Sequence, residues 1–107
     1  MLSIIIPVRN ESDSLEGIME HYSINLRNLK YEVLLINDFS EDDTLEKARN
    51  LFKNENFKVF DNKKKGLGGA INLGIKKATG SNIAIMMADQ SDDINDLKKY
   101  NSLINTE

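Results

Sequence analysis

Three apolar runs in this chain end in carboxylates. Ser3-Ile4-Ile5-Ile6-Pro7-Val8 leads through Arg9 and Asn10 into Glu11, Val33-Leu34-Leu35-Ile36 leads through Asn37 into Asp38, and Ile83 to Ala88 leads into Asp89. Buried strands of a parallel sheet read as uninterrupted apolar runs. Ligands of open α/β sheets sit outside the carboxyl ends of such strands. Three strands thus direct Glu11, Asp38 and Asp89 toward one crevice. Carboxylates placed there can accept hydrogen bonds from a polar ligand, or can hold a hard divalent cation together with a ligand's phosphates.

The segments between the runs must supply the scaffold. Leu15, Ile18, Met19, Tyr22 and Leu26 recur at helical spacing, which predicts a helix from about Ser14 to Arg27. Tyr31 to Ile36 reads as the second strand. Ser40, followed by Glu41, Asp42 and Asp43, has the chemistry of a helix N-terminus with a capping hydroxyl and first-turn acids. Leu45, Ala48, Leu51 and Phe52 would form that helix's inner face. Phe57 to Phe60 is a short third strand. Gly66-Leu67-Gly68-Gly69 opens a third helix, whose Ala70, Gly74 and Ala78 make a stripe of small residues suited to close packing on a sheet. Gly80 stands where a C-terminal cap is expected. Ser81 or Asn82 to Ala88 is the fourth strand, and a last helix runs from about Asp93 to Leu103. Four β-α units in succession imply a parallel sheet with right-handed crossovers and helices on both faces. With the first strand central and the fourth on its free side, a switch point opens between them.

Composition narrows the function. The 107 residues make one domain, and 40% hydrophobic with 29% charged residues is ordinary for a soluble globular chain. A net charge of −3 gives no reason to expect a nucleic-acid partner. Lys63-Lys64-Lys65 is the only basic run and reads as a solvated loop. Without cysteine there is no disulfide, thiolate or cysteine–zinc chemistry. The apolar run near Met1 is too short to cross a bilayer and has neither a basic flank nor a cleavage site, so a cytoplasmic chain without a transmembrane segment is expected. The lone His21 lies mid-helix with no second histidine and carries no chemistry.

Four motifs occur in order along nearly the whole chain: Ile5-Ile6-Pro7-Val8-Arg9-Asn10-Glu11; Ile36-Asn37-Asp38-Phe39-Ser40-Glu41-Asp42-Asp43-Thr44; Gly66-Leu67-Gly68-Gly69-Ala70-Ile71-Asn72-Leu73-Gly74 with Ala78-Thr79-Gly80; and Met86-Met87-Ala88-Asp89-Gln90-Ser91-Asp92-Asp93. Together they resemble the family-2 inverting glycosyltransferases, including the dolichol-phosphate mannosyl- and glucosyltransferase-like enzymes. The second motif there usually reads two acids, a glycine, a serine and a later threonine. The resemblance implies a three-layer α/β/α domain with a mainly parallel, Rossmann-like GT-A sheet, here stopping after about four β-α units. It implies a nucleotide-diphosphate sugar as the ligand. Pro7, Val8, Arg9, Glu11 and Asp38 would line the nucleotide pocket, with Asp38 bonded to the base. Asp89 would hold a divalent cation, magnesium or manganese, on the diphosphate.

Three departures from that pattern stand out. Met87 replaces the first acid of an Asp-x-Asp pair, Asn37 replaces a common aspartate, and Arg9 stands where an aromatic often packs on the base. The chain also ends at Glu107, shortly after Asp89, whereas family members continue into an acceptor half that supplies the general base. Residues 1–107 are therefore expected to be a single nucleotide-sugar-binding domain, the donor half of a transferase, with little activity alone and no catalytic base. The fourth strand would lie at an open sheet edge, with Met86 and Met87 covered only by the last helix. Self-association through that side, or through the terminal helix around Tyr100 and Leu103, is expected.

Other readings of the same residues stay open. Asp38 could merely start a turn, and Glu11 and Ser12 could merely cap a helix. Gly66 to Gly69 fits neither a Walker loop nor G-x-G-x-x-G, which favours close helix–sheet packing over a phosphate cradle. Asp92, Asp93 and Asp96 read as first-turn helix acids. A non-catalytic nucleotide- or nucleotide-sugar-binding module is the alternative function. A phosphoacceptor receiver domain fits poorly, because the acidic pair after the first strand and a late strand-end lysine are missing.

Overall fold

Continuous burial explains the first strand. Leu2–Val8 (β1) is buried at every position because both faces of the sheet are covered there. The computed structural model describes residues 1–87. After β1 come a single 3-10 turn at Ser12–Ser14 and α1 (Leu15–Asn25), then β2 (Tyr31–Asn37), α2 (Thr44–Leu51), β3 (Phe57–Asp61), α3 (Leu67–Lys77) and β4 (Asn82–Ile85). The sheet order is β3-β2-β1-β4, all parallel, with Leu2 opposite both Tyr31 and Asn82. Strand one is central, with the second and third strands on one side and the fourth on the other, the arrangement in which a switch point opens between strands one and four.

The two faces differ in how they are covered. On one face, Leu2, Ile4, Ile6 and Val8 join Val33 and Leu35 beneath Leu15, Ile18 and Tyr22 of α1, Leu26 just beyond it, and Ala48 and Phe52 from α2 and its end. On the other, Ile5, Leu34 and Ile36 meet Ala70 of α3, with Phe60, Leu73 and Ala78 at the margin. The small-residue stripe of α3 brings the helix close: a Cβ on Gly74 would lie 2.5 Å from Ile5 Cγ2. Gly69 is tight in the same way, its Cβ position 2.5 Å from the Lys64 carbonyl. Gly66 and Gly68 have open space, so close packing accounts for only part of the glycine run.

Several boundaries differ from the sequence reading, each because a tertiary contact wins over a local signal. Ser40 does not cap α2. The helix begins at Thr44 after Asp43, and the Ser40 hydroxyl instead receives the backbone N–H of Asn10 at 3.0 Å. Gly80 is no left-handed cap, since α3 ends at Lys77 with Ala78 extended and Gly66 is the glycine with a positive φ. What Gly80 supplies is room: a Cβ there would meet the Met1 carbonyl oxygen at 2.5 Å and Ser3 Oγ at 2.6 Å. Strand β4 stops at Ile85, although one more ladder bond follows from the Met86 N–H to the Ile5 carbonyl. Met86 is buried and belongs to the core cluster on the α1 face, and Met87 is half-buried. β4 forms the sheet edge among the described residues, with Ile83 and Ile85 exposed. The helix expected at Asp93 to Leu103 lies outside the described residues.

A carboxylate absent from the sequence-based list organises the amino end of the sheet. Glu32, on β2, is buried, and its Oε2 accepts bonds from Ser3 Oγ (2.6 Å), Thr79 N (2.6 Å) and Thr79 Oγ1 (3.0 Å). Its Oε1 meets Lys58 Nζ at 2.8 Å. Ser3 Oγ in turn receives the Gly80 N–H at 2.9 Å. Burial pushes the Glu32 carboxyl up, but the Lys58 ammonium and the Ser3 and Thr79 donors outweigh it and hold the group at about 2. No helix among the described residues is long and apolar enough to cross a membrane.

Candidate functional site

The loops after β1 and β2 are bolted together. The Asn10 side-chain oxygen accepts the Glu41 N–H at 2.7 Å, and the Asn10 N–H bonds Ser40. Glu11 N–H donates to Thr44 Oγ1 at 3.1 Å, Ser12 Oγ donates to Asp43 Oδ1 at 2.6 Å, and the Asp38 N–H reaches the Val8 carbonyl at 2.8 Å. Thr44 is fully buried, and its hydroxyl and N–H both bond the Asp42 carboxylate, which holds that carboxyl below its usual range. The serine, acid and threonine of the second motif are thus loop fasteners.

Two residues in these loops adopt left-handed backbone: Asn10 at φ 54° and Phe39 at φ 55°. Asparagine tolerates that region, whereas a bulky side chain there costs roughly 1–2 kcal/mol. The Phe39 ring is 40% exposed and recovers little by packing. Phe39→Gly is therefore expected to stabilise the fold by about 0.5–1 kcal/mol, after allowing for glycine's larger unfolded-state entropy. Thermal melting checks this, and a lower melting temperature would mean the ring packs more than its exposure implies.

At the carboxyl ends of β1 and β2 the chain forms a cleft of about 150 Å³, lined by Pro7, Val8, Arg9, Glu11, Asp38, Leu67 and Met87. Every sequence-based candidate for nucleotide contact lines it. Pro7, Val8 and Asp38 are buried, Glu11 is half-buried and Arg9 is exposed. The Glu11 carboxylate accepts the Ser14 hydroxyl at 3.0 Å, and its side chain makes no capping bond to the 3-10 turn or to α1. Asp38 is more than a turn former. Its Oδ1 accepts two donors from the β3–α3 loop, Asn62 Nδ2 at 3.1 Å and the Gly66 N–H at 3.0 Å. Asn62, Leu67 and Met87 as wall or support were not read from sequence. Gly66, which donates its N–H to Asp38, is the one member of this loop with a positive φ, 121°, which suits a glycine.

Asn37, one of the departures, has a structural reason. It lies opposite Asp61 in the β2–β3 ladder, and its Nδ2 donates to Asp61 Oδ1 at 3.0 Å. That amide, with Lys63 beside it, holds the Asp61 carboxyl below the usual range. An aspartate at 37 would set two carboxylates against each other there. Asn37 Oδ1 is buried without a hydrogen-bond partner among the described residues.

Asp89 lies outside the described residues. Among those described, no group of three or more His, Cys, Asp or Glu side chains could hold a metal ion.

Comparison with known proteins agrees with this architecture. Over residues 3–106 the chain matches the family model described as Glycosyl transferase family 2. It is 38% identical over 89 residues to a dolichol-phosphate mannosyltransferase of Pyrococcus furiosus, which covers 82% of this chain and 25% of that protein. A dolichyl-phosphate beta-glucosyltransferase of Drosophila melanogaster is 31% identical over 99 residues, covering 82% of this chain and 30% of that protein. The chain thus spans less than a third of either relative. Among solved structures, residues 1–349 of S. aureus TarS in complex with UDP-GlcNAc superpose with a TM-score of 0.77 at 23% identity, over 98% of this chain and 31% of that one. The mannosyltransferase PcManGT from Pyrobaculum calidifontis, in complex with GDP-Man and Mn2+, gives 0.66 at 23% identity, over 82% of this chain and 27% of that one. These likenesses establish a shared α/β fold of the GT-A kind. By its ordered motifs, its sheet and the family match, the chain belongs to glycosyl transferase family 2.

Proposed function

We propose that residues 1–107 form the donor-nucleotide domain of an inverting glycosyltransferase, binding a nucleotide-diphosphate sugar at the carboxyl ends of β1 and β2. The observation that carries this reading is the convergence of Pro7, Val8, Arg9, Glu11 and Asp38 on one cleft. Its volume of about 150 Å³ is below the ~300–1,000 Å³ of complete small-molecule sites, so it receives one part of the ligand, the base and ribose. Pro7 and Val8 give that part an apolar floor. Asp38, an acceptor when ionised, bonds a donor on the base, and Glu11 faces the ribose hydroxyls.

A divalent cation, when bound, neutralises charge developing on the leaving diphosphate. Asp89 is the proposed protein ligand for it. It follows Met87 of the cleft wall by two residues in the sequence, and one carboxylate plus phosphate oxygens suffices for magnesium or manganese. The PcManGT complex with GDP-Man and Mn2+ supports the use of a divalent cation, by analogy. Inverting transfer also needs a base beside the acceptor hydroxyl. Glu11 and Asp38 are poor choices, being engaged by Ser14 and by Asn62 with Gly66.

Titration calorimetry with UDP, GDP and their sugars tests the reading. Binding is expected, and Asp38→Ala should weaken it about 10–100-fold, the range for losing a charge-assisted hydrogen bond. Manganese should tighten diphosphate binding, and Asp89→Ala should remove that gain. No heat with any of these ligands, and no shift of amides at residues 7–11 and 38, would overturn the donor-domain reading.

A further inference from the structure

Asp38 lines the cleft with a carboxylate whose two oxygens are not equivalent. Both protein donors converge on Oδ1: Asn62 Nδ2 at 3.1 Å and the Gly66 N–H at 3.0 Å. No donor among the described residues meets Oδ2. Two donors on one oxygen fix the plane of the carboxylate, which would otherwise turn freely about a broad torsion.

The Asn62 side chain is itself fixed. It is 5% exposed, its Oδ1 accepts the Lys64 N–H at 3.2 Å, and its Nδ2 also donates to the Lys64 carbonyl. Its backbone N–H extends the ladder to the Asn37 carbonyl at 2.8 Å. Turning the amide over would put its oxygen against both the Asp38 carboxylate and the Lys64 carbonyl, and would set its NH2 against the Lys64 N–H. The orientation is therefore dictated by three neighbours at once. Yet Asn62 does not line the cleft.

We propose that Asn62 is a positioning residue for base recognition: it holds Asp38 Oδ1 against the β3–α3 loop and leaves Oδ2 as the single acceptor offered to the nucleobase. This rests on the nucleotide-binding reading above. A lone carboxylate oxygen, fixed in direction, selects a ring N–H. Uracil and guanine carry one on the pyrimidine ring beside a carbonyl, whereas cytosine has an unprotonated ring nitrogen in the corresponding place. The site should thus prefer lactam bases, and that preference should depend on a residue the ligand never touches.

Titration of the chain with UDP, GDP, CDP and inorganic pyrophosphate tests this, using wild type, Asn62→Ala and the milder Asn62→Ser. The wild type should bind UDP or GDP about tenfold or more tighter than CDP, the value of one hydrogen bond to a charged group. In Asn62→Ala that ratio should fall toward one while pyrophosphate binding is unchanged. Should Asn62→Ala fail to fold, the same loss of ratio is expected in Asn62→Ser. A preserved ratio in a folded variant overturns the proposal. Equal weakening of every ligand, pyrophosphate included, assigns Asn62 a purely structural role and also overturns it. Wild type that binds nucleotides without preferring lactam bases overturns the positioning role alone, whereas wild type that binds none overturns the nucleotide reading itself.

Discussion

Replacing Gly74 by alanine should destabilise the protein by about 1–2 kcal/mol, although Gly→Ala inside a helix ordinarily gains about 1 kcal/mol. The sign is set by space. An added Cβ would lie 2.5, 3.0 and 3.1 Å from Cγ2, Cγ1 and Cδ1 of Ile5, which is fully buried at the middle of the central strand. Ile5 cannot turn aside without leaving its own packing among Leu34, Ile36 and Ala70, and overpacking of this kind costs roughly 1–3 kcal/mol. Gly74→Leu should cost more than the alanine change and prise α3 from the sheet. Gly17 supplies the opposite control: it is exposed on α1 with nothing within 4 Å of its Cβ position, so Gly17→Ala should stabilise by about 0.5–1 kcal/mol. Urea unfolding of the three variants gives the comparison. Equal stabilisation at both glycines would show that α3 has slack over Ile5.

Glu32→Ala should cost about 2–4 kcal/mol, because it strands the buried Ser3 hydroxyl and the Thr79 N–H and removes the partner of Lys58. The same group predicts an acid limb. Its folded pKa, about 2, lies below the ordinary glutamate value of 4.5, so its contribution is fully present above pH ~4.5. That contribution declines as the pH falls from about 4.5 toward 2, where the folded carboxylate itself takes up a proton. A shift of this size corresponds to roughly 3 kcal/mol. Glu32→Gln should therefore be less stable than wild type at neutral pH and show a flatter decline between those values. Parallel unfolding curves for the two proteins across that window would mean that Glu32 is no better satisfied folded than unfolded.

Much of this architecture is written in local pattern. The strands announce themselves because β1 and β2 are covered on both faces, which demands the uninterrupted runs from Ser3 and Val33. Strand direction alone points Glu11 and Asp38 to the same end of the sheet, whereas Pro7, Val8 and Arg9 join them in the cleft as the resemblance to family-2 glycosyltransferases implies. The Ala70–Gly74–Ala78 spacing foretold the close approach of α3 to the sheet. What escaped was written in separate places. The Glu32 cluster draws Ser3, Lys58 and Thr79 from β1, β3 and the segment before β4, with 26 to 47 residues between partners. Ser40 and Gly80 carry the right chemistry for caps, but each is taken by a distant partner, Asn10 and Ser3 respectively. Asn62 looks like any loop asparagine until Asp38 is seen beneath it.

The place of β1 in the sheet order has a consequence for how the chain reaches its folded state. Its neighbour β2 follows within about 30 positions, whereas on its other side Leu2 waits for Asn82. During synthesis, β1, β2 and β3 can pair while one flank of β1, the most apolar strand among the described residues, stays unzipped. Contacts that span so much sequence form late and slow folding, and unpaired strand edges make such intermediates prone to aggregate. Arrival of the Thr79–Asn82 stretch closes that flank and, in the same stroke, delivers the Thr79 and Gly80 donors to Glu32 and Ser3. The nascent chain is therefore most vulnerable between the emergence of β3 and that of β4, and a chaperone acting in that interval would protect Ile4, Ile5 and Ile6 above all.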